Sequence, residues 1–275
     1  MSLANLDSFT ERGLMLDSIP RLIAVIHLPA LPGSPCWQGQ EMESIIDSAR
    51  RDYCTLVDAG FDGLIVENFG DVPFYKTDVP PITLTAMTRV IAAIDDGAVT
   101  LGVNVLRNDA KGALAVAAGT GAGFIRVNVH TGAMLTDQGI IEGRAAETMR
   151  LRQAWAPKTH VLADVAVKHA QSLTPMDLVQ VAKDTFHRGL ADGLIVTGKG
   201  TGEGASLEDV RLIKDSMPSV PLFVGSGVDH ANVAATLQAA DGVIVGTSLK
   251  VDGVVRQPVD SERAKRFVAC AKAVM

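Results

Sequence analysis

The chain alternates short apolar runs with longer helical segments eight times, and few folds accommodate that rhythm. The runs are rich in Val, Ile and Leu, are bounded by turn residues, and fall at 22–27, 63–67, 100–106, 124–129, 160–165, 193–197, 220–225 and 242–247. Stretches of helical periodicity follow them, at 41–59, 82–95, 108–119, 142–155, 175–189, 206–216, 230–239 and 260–273. Near-continuous apolar strands imply a sheet covered on both faces, as parallel sheets are. Eight successive strand–helix units in 275 residues predict an α/β fold, a single (β/α)8 TIM barrel. The organisation expected is an N-terminal extension over residues 1–20 and a barrel over 21–275. An open doubly wound sheet would want a glycine-rich turn after its first strand. Here His27 leads instead into Leu28-Pro29-Ala30-Leu31-Pro32-Gly33-Ser34-Pro35, a loop stiffened by three prolines.

Composition narrows the class of partner. Hydrophobic residues make up 47% and charged residues 20%, enough apolar material for a sizeable core and too much for long disorder. The net charge of -6 is spread along the chain, without the basic face a nucleic-acid binder shows. No apolar run approaches the ~18 residues of a membrane span. Residues 1–20 carry Glu11, Arg12 and Asp17 and no continuous apolar stretch, so no signal peptide is expected. Cys36, Cys54 and Cys270 are widely spaced and form no CxxC, which fits a cytoplasmic protein without a disulfide framework. A homo-oligomer is compatible with all of this.

Side chains alternate along a strand, so one parity faces the barrel interior. On the first six strands that parity ends in a polar residue: His27 after Ile23 and Val25, Glu67 after Ile65, Asn104 after Gly102, Asn128 after Arg126, Asp164 after Leu162, and Thr197 after Ile195. Active sites of TIM barrels lie at this C-terminal face. His27 titrates near neutrality, and Glu67 and Asp164 suit general acid–base work. Arg126 can hold an anion or polarise a carbonyl. The plain alternative is a satisfied interior network, with Arg126 paired to Glu67 or Asp164. Glu67, Asp164 and His27 also carry donors that suit a divalent metal, although no HExxH-type spacing is present; no cofactor is expected. Cys36 and Trp37 read as loop-packing residues. His169, His187 and His230 read as helix or helix-start residues, and His130 as a loop residue within reach of a substrate.

The seventh strand ends in Gly225-Ser226-Gly227 and the eighth in Gly246-Thr247-Ser248. Glycines let backbone amides approach an anion closely, and hydroxyls add donors. Barrels commonly hold phosphate at these two loops. The sixth strand adds Thr197-Gly198-Lys199-Gly200-Thr201-Gly202-Glu203-Gly204, a flexible loop with a cation. The plain alternative is that Gly225 and Gly246 only relieve crowding at strand ends.

Several stretches together resemble the BtpA/SgcQ family along nearly the whole chain. They are Val25 through Pro35, Val66-Glu67-Asn68-Phe69-Gly70-Asp71, Gly102 through Asp109, Phe124 through Val129, and Thr136-Asp137-Gln138-Gly139. Ala163-Asp164-Val165 through Lys168-His169-Ala170, Gly225 through Val228 and Val245 through Lys250 continue the match. The resemblance implies kinship with ribulose-phosphate-binding barrels and, by the family's name, a role in photosystem I biogenesis. Members also occur where no photosystem exists, and SgcQ is associated with carbohydrate-use genes. Some relatives carry a label of phosphoribosylanthranilate isomerase type. That enzyme's first strand usually ends in Lys-x-Cys-Gly, where this chain has His27-Leu28-Pro29, a departure from that particular reaction.

The leading expectation is an isomerase or lyase acting on a small phosphorylated sugar or phosphoribosyl compound. Gly225, Ser226, Gly227, Gly246, Thr247 and Ser248 would hold phosphate. His27, Glu67 and Asp164 would move protons, and Arg126, Asn104 and Asn128 would stabilise the developing charge. The alternatives are a non-catalytic assembly or stability factor for a photosystem or other membrane complex, and a phosphosugar sensor.

Overall fold

Eight parallel strands close on themselves in the computed structural model, which describes residues 19–166, 170–173, 177–198 and 204–275. The chain runs β1 (Leu22–His27), α1 (Met42–Ala59), β2 (Gly63–Glu67), α2 (Pro81–Ile94), β3 (Thr100–Asn104), α3 (Ala110–Thr120) and β4 (Phe124–Val127). A hairpin of β5 (Ala133–Thr136) and β6 (Gly139–Glu142) follows, then α4 (Ala145–Trp155), β7 (His160–Ala166), the short β8 (Ala170–Ser172) and α5 (Leu178–Lys183). The last quarter is β9 (Gly193–Val196), α6 (Leu207–Ser216), β10 (Leu222–Val224), α7 (Val233–Leu237), β11 (Gly242–Val245) and α8 (Ser261–Lys272). Around the ring the order is β1-β11-β10-β9-β7-β4-β3-β2, so β1 is flanked by β2 and β11. Most of the proposed extension, residues 1–18, lies outside the described residues, as do Lys168, His169 and Lys199.

Two apolar layers hold the barrel. Ile23, Val25, Ile65, Phe124, Leu162, Ile195, Phe223 and Ile244 fill its interior, with Ile19 joining them. Their neighbours of opposite parity, such as Ala24, Val66, Val103 and Val127, pack outward against the helices. The interior parity is the one expected from the sequence. Gly102 belongs to it because the Phe124 ring occupies the place of its side chain: a Cβ there would stand 2.2 Å from that ring.

Strand ends fall short of the apolar runs where side chains take over the ladder. Past β3, the Leu106 amide donates to Asn68 Oδ1 at 2.7 Å. Past β4, Asn108 brackets Val129, donating to its carbonyl at 2.9 Å and accepting from its amide at 2.8 Å.

The loop expected over 130–141 is instead structured. β5 and β6 form a two-residue hairpin, and β8, from the loop after β7, pairs antiparallel with β5. Met134 and Ile141 bury one face of this small sheet against Val129. Leu135 and Ile140 face outward, as period two requires. The hairpin delays α4 to Ala145. A single π-turn, Asp184–Arg188, completes the helix that begins with α5.

Candidate active site at the barrel mouth

Register aligns the polar strand ends. His27 lies opposite Glu67, and Glu67 opposite Asn104. The Asn104 amide donates to Glu67 Oε2 at 2.9 Å. Arg126 grips Asp164 with a fork, Nε to Oδ2 at 3.2 Å and Nη2 to Oδ1 at 3.0 Å. The Asn128 amide adds a bond to Asp164 Oδ2 at 2.8 Å. Asn128 Oδ1 is buried and has no hydrogen-bond partner among the described residues. The satisfied network that the sequence left open is therefore built, with Asp164 rather than Glu67 as the partner of Arg126.

The network stops short of closing the mouth. A cavity of about 180 Å³ is lined by His27, Glu67, Arg126, Gly225–Gly227 and Gly246–Ser248, together with Asp229 and apolar Val25, Val228, Ile244 and Val245. Asn104, Asn128, Asp164 and Thr197 are not part of that lining. Arg126 and Glu67 are almost wholly buried, at 4% and 6% exposure, yet both line the cavity. The fork to Asp164 uses Nε and Nη2, leaving Arg126 Nη1 without a partner among the described residues. Glu67 Oε1 is likewise unbonded there, because Asn104 binds the other oxygen. A donor and an acceptor, each carried by a buried residue, thus line one space.

Burial pushes the Asp164 carboxyl up from its ordinary value, against the pull of Arg126 and Asn128. Burial alone would lower Arg126, but the Asp164 charge beside it outweighs that and holds it a cation. Arg107, to which sequence reasoning gave no role, is buried near the same groups. Burial lowers its pKa, while the fields of Asp164, Glu67 and Asp137 oppose the shift. Its place in the motif running from Gly102 to Asp109 was the only sequence signal for it.

The opposite side of the cavity is backbone. Gly227 adopts φ 68°, a left-handed conformation that favours glycine. The amides of Gly227, Gly246, Thr247 and Ser248 donate to nothing among the described residues. The Gly225 amide, in contrast, donates to the Val196 carbonyl at 2.9 Å, so it is not a ligand donor as expected. The Ser248 hydroxyl is also committed, donating to the Val228 carbonyl at 2.8 Å and tying the two glycine loops together. Ser226 Oγ accepts the Gly198 amide at 2.7 Å. Asp229 turns Oδ1 onto the amides of Ala231 and Asn232 at 2.8 and 3.1 Å.

Both strand-end glycines also relieve crowding, as the plain alternative holds. A Cβ on Gly225 would stand 2.5 Å from Ile195 Cγ2, and one on Gly246 would stand 2.6 Å from His27 Cε1. The crowding and the cavity are one feature, since the absent side chains leave backbone as the wall.

Other candidates separate from the site. His130 is buried and its Nε2 bonds the Gly189 carbonyl at 2.8 Å, a structural tie rather than a substrate contact. Cys36 is exposed, its thiol donating to the Val72 carbonyl at 3.3 Å. Gly70 packs on Pro29 and Ala30, with its Cβ position 2.3 Å from the Ala30 amide, so that motif braces two loops. Among the described residues, no three His, Cys, Asp or Glu side chains gather to hold a metal. A wider groove of about 890 Å³ lies outside the barrel between β5, α4 and α5. Its charged lining is surface-borne, Arg188 being 83% exposed, and lacks the buried convergence of the mouth.

Fold and site together define a TIM-type (β/α)8 barrel with an open, polar C-terminal mouth. The chain belongs to the BtpA family, whose model matches residues 19–273. It is 45% identical to the photosystem I biogenesis protein BtpA of Synechocystis over 90% of this chain and 86% of that relative. It is 48% identical to an uncharacterised protein of Pyrococcus furiosus over 92% of this chain and 95% of that one. In fold it is similar to tryptophan synthase of Mycobacterium tuberculosis, with TM-score 0.62 and 16% identity over 94% of this chain and 97% of that one. Phosphoribosylanthranilate isomerase of Pyrococcus furiosus gives 0.57 and 15% over 92% and 100%. At such identities the structural likeness shows the fold alone. Among the described residues no helix is long and apolar enough to cross a membrane.

Proposed function

We propose that the chain binds a small phosphorylated sugar or phosphoribosyl compound at the barrel mouth and is an isomerase or lyase acting on it. The observation that carries this reading is the set of four amides, at Gly227, Gly246, Thr247 and Ser248, that donate to nothing among the described residues and share one cavity with half-buried His27 and buried Glu67 and Arg126. Backbone amides suit the phosphate. Glu67 Oε1 takes a proton from carbon next to a carbonyl, and His27 serves the neighbouring oxygen. Arg126 Nη1 holds the oxygen on which charge develops. Asp164 and Asn128 position Arg126, and Asn104 positions Glu67. The scheme uses no cofactor; a metal at Glu67 and Asp164 would compete with Arg126 and Asn128 for the Asp164 carboxylate.

Incubation with triose, tetrose and pentose phosphates in D2O tests it. Proton NMR is expected to show exchange next to the carbonyl, at least a hundredfold slower in Glu67→Gln, within the usual range for a lost general base of about 10²–10⁴. Stabilisation by these compounds without exchange would mark a sensor. Neither effect would favour the second reading, a docking factor for a membrane complex. That reading draws on the name of the Synechocystis relative and on Leu135, Ile140 and Leu173, all exposed on the small sheet or at its edge.

A further inference from the structure

The mouth is divided, and the division limits the length of the ligand. Arg126 leaves β4 and reaches to the end of β10, three strands away around an eight-strand ring. Its Nη2 lies 3.3 Å from the place a Cβ would take on Gly225. The fork to Asp164 and the Asn128 bond hold it there as a bar. Behind the bar, the arc over β3, β4 and β7 is filled by Asn104, Asn128 and Asp164, all buried. The loops after β4 and β7 join as the small sheet.

What stays open is the arc over β10, β11, β1 and β2, which are consecutive in the ring. The phosphate cradle ends on β11, and the proton-moving groups sit on β1 and β2. Neighbouring strands lie about 4.8 Å apart, so the cradle and Glu67 are separated by roughly 10 Å of backbone, less the inward reach of the side chains. His27 closes the gap further, its ring against Gly246. The cavity of about 180 Å³ is well below the ~300–1,000 Å³ of pockets for drug-sized ligands.

We infer that the ligand is a short phosphorylated carbonyl compound of three or four carbons, with its carbonyl within one or two carbons of the phosphoester, rather than a pentose phosphate or phosphoribosyl compound. This rests on the phosphate reading above and narrows it. The bar and the filled arc block extension of the ligand toward β3, β4 and β7. The cradle and the proton-moving pair sit too close for a ribosyl unit to lie between them.

Calorimetric titration of the full chain with inorganic phosphate, dihydroxyacetone phosphate, erythrose 4-phosphate, ribose 5-phosphate and a phosphoribosyl arylamine tests the inference. The expected result is that the triose or tetrose phosphate binds at least tenfold tighter than inorganic phosphate, and the two larger compounds no tighter than inorganic phosphate. Larger compounds binding tenfold tighter than dihydroxyacetone phosphate would overturn the length limit and leave the phosphate site standing. Absence of binding by every compound, inorganic phosphate included, would remove the phosphate reading and the inference with it. A second measurement uses Arg126→Met together with Asp164→Leu, which removes the bar and its buried partner at once. The ratio of ribose 5-phosphate to dihydroxyacetone phosphate affinity is expected to rise at least tenfold. An unchanged ratio in a folded double variant would show that the bar does not set length.

Discussion

The two halves of the barrel mouth use the same kinds of residue to opposite ends. Over β3, β4 and β7, buried polar side chains bond one another and Arg126. Over β10 and β11, glycines replace side chains and the amides of Gly227, Gly246, Thr247 and Ser248 donate to nothing among the described residues, and with His27 on β1 and Glu67 on β2 they line a cavity. Arg126 belongs to both halves, and the Asn104–Glu67 bond joins them at the β2–β3 edge. A polar residue at a barrel mouth is therefore not by itself a catalytic candidate; whether a partner already holds it decides. Under the proposed function Asp164, gripped by Arg126 and Asn128, is the positioning group, and Glu67, whose Oε1 Asn104 leaves unbonded, is the proton-moving one.

The largest effect is expected where the filled half loses one member of its pair. Arg126→Ala leaves Asp164 buried without its cation, and denaturant unfolding should show a loss of about 3–5 kcal/mol. The Arg126→Met, Asp164→Leu double variant should recover most of it. A single variant costing under about 1 kcal/mol would break the contrast, since the filled half would not depend on its ion pair.

Glu67→Gln sharpens the contrast from the open half. It should leave stability within about 1 kcal/mol, since Asn104 still finds an oxygen, while proton exchange on a bound phosphosugar falls at least a hundredfold. Gly246→Ala acts on both properties. Its methyl would meet the His27 ring at 2.6 Å, and overpacking of this kind costs about 1–3 kcal/mol. Calorimetry should show phosphate affinity falling as well; affinity preserved at full stability would move the anion site elsewhere.

The smallest effect concerns pH. Burial lowers the pKa of His130 below its ordinary value of 6.5. The unfolded chain then binds the proton more readily. His130 therefore favours the fold fully above that value, and stability is lost as pH falls below it. His160 shifts in the same direction. His130→Asn should flatten part of the decline in melting temperature below pH 6.5, whereas an unchanged slope would assign the decline to His160 and the carboxylates.

The barrel was legible because its signal is repeated: eight apolar runs of one parity pattern specify both the ring and which side chains enter it. Parity likewise carries His27, Glu67 and Arg126 inward to line the cavity, while Gly225–Gly227 and Gly246–Ser248 reach it from just past the ends of β10 and β11. What sequence could not show was commitment. Nothing in Gly225-Ser226-Gly227 says that the first amide bonds Val196, and nothing in Thr247-Ser248 says that the second hydroxyl bonds Val228. The small sheet was missed because the alternation of Met134 and Leu135, and of Ile140 and Ile141, spans only four residues on each side of Asp137-Gln138. Its third strand arrives from another loop. Arg107 was passed over because it lies beyond a strand end, where parity no longer indicates direction.

The proposed function stands on phosphate binding by the amides at the ends of β10 and β11. Titration of isotope-labelled protein with inorganic phosphate, followed by amide chemical shifts, tests it most directly. Saturable shifts are expected at Gly227, Gly246, Thr247 and Ser248, with Leu106, Arg107 and Asn108 in the filled half unmoved. Shifts confined to the filled half or to the outer groove, or none at the four amides, would contradict it.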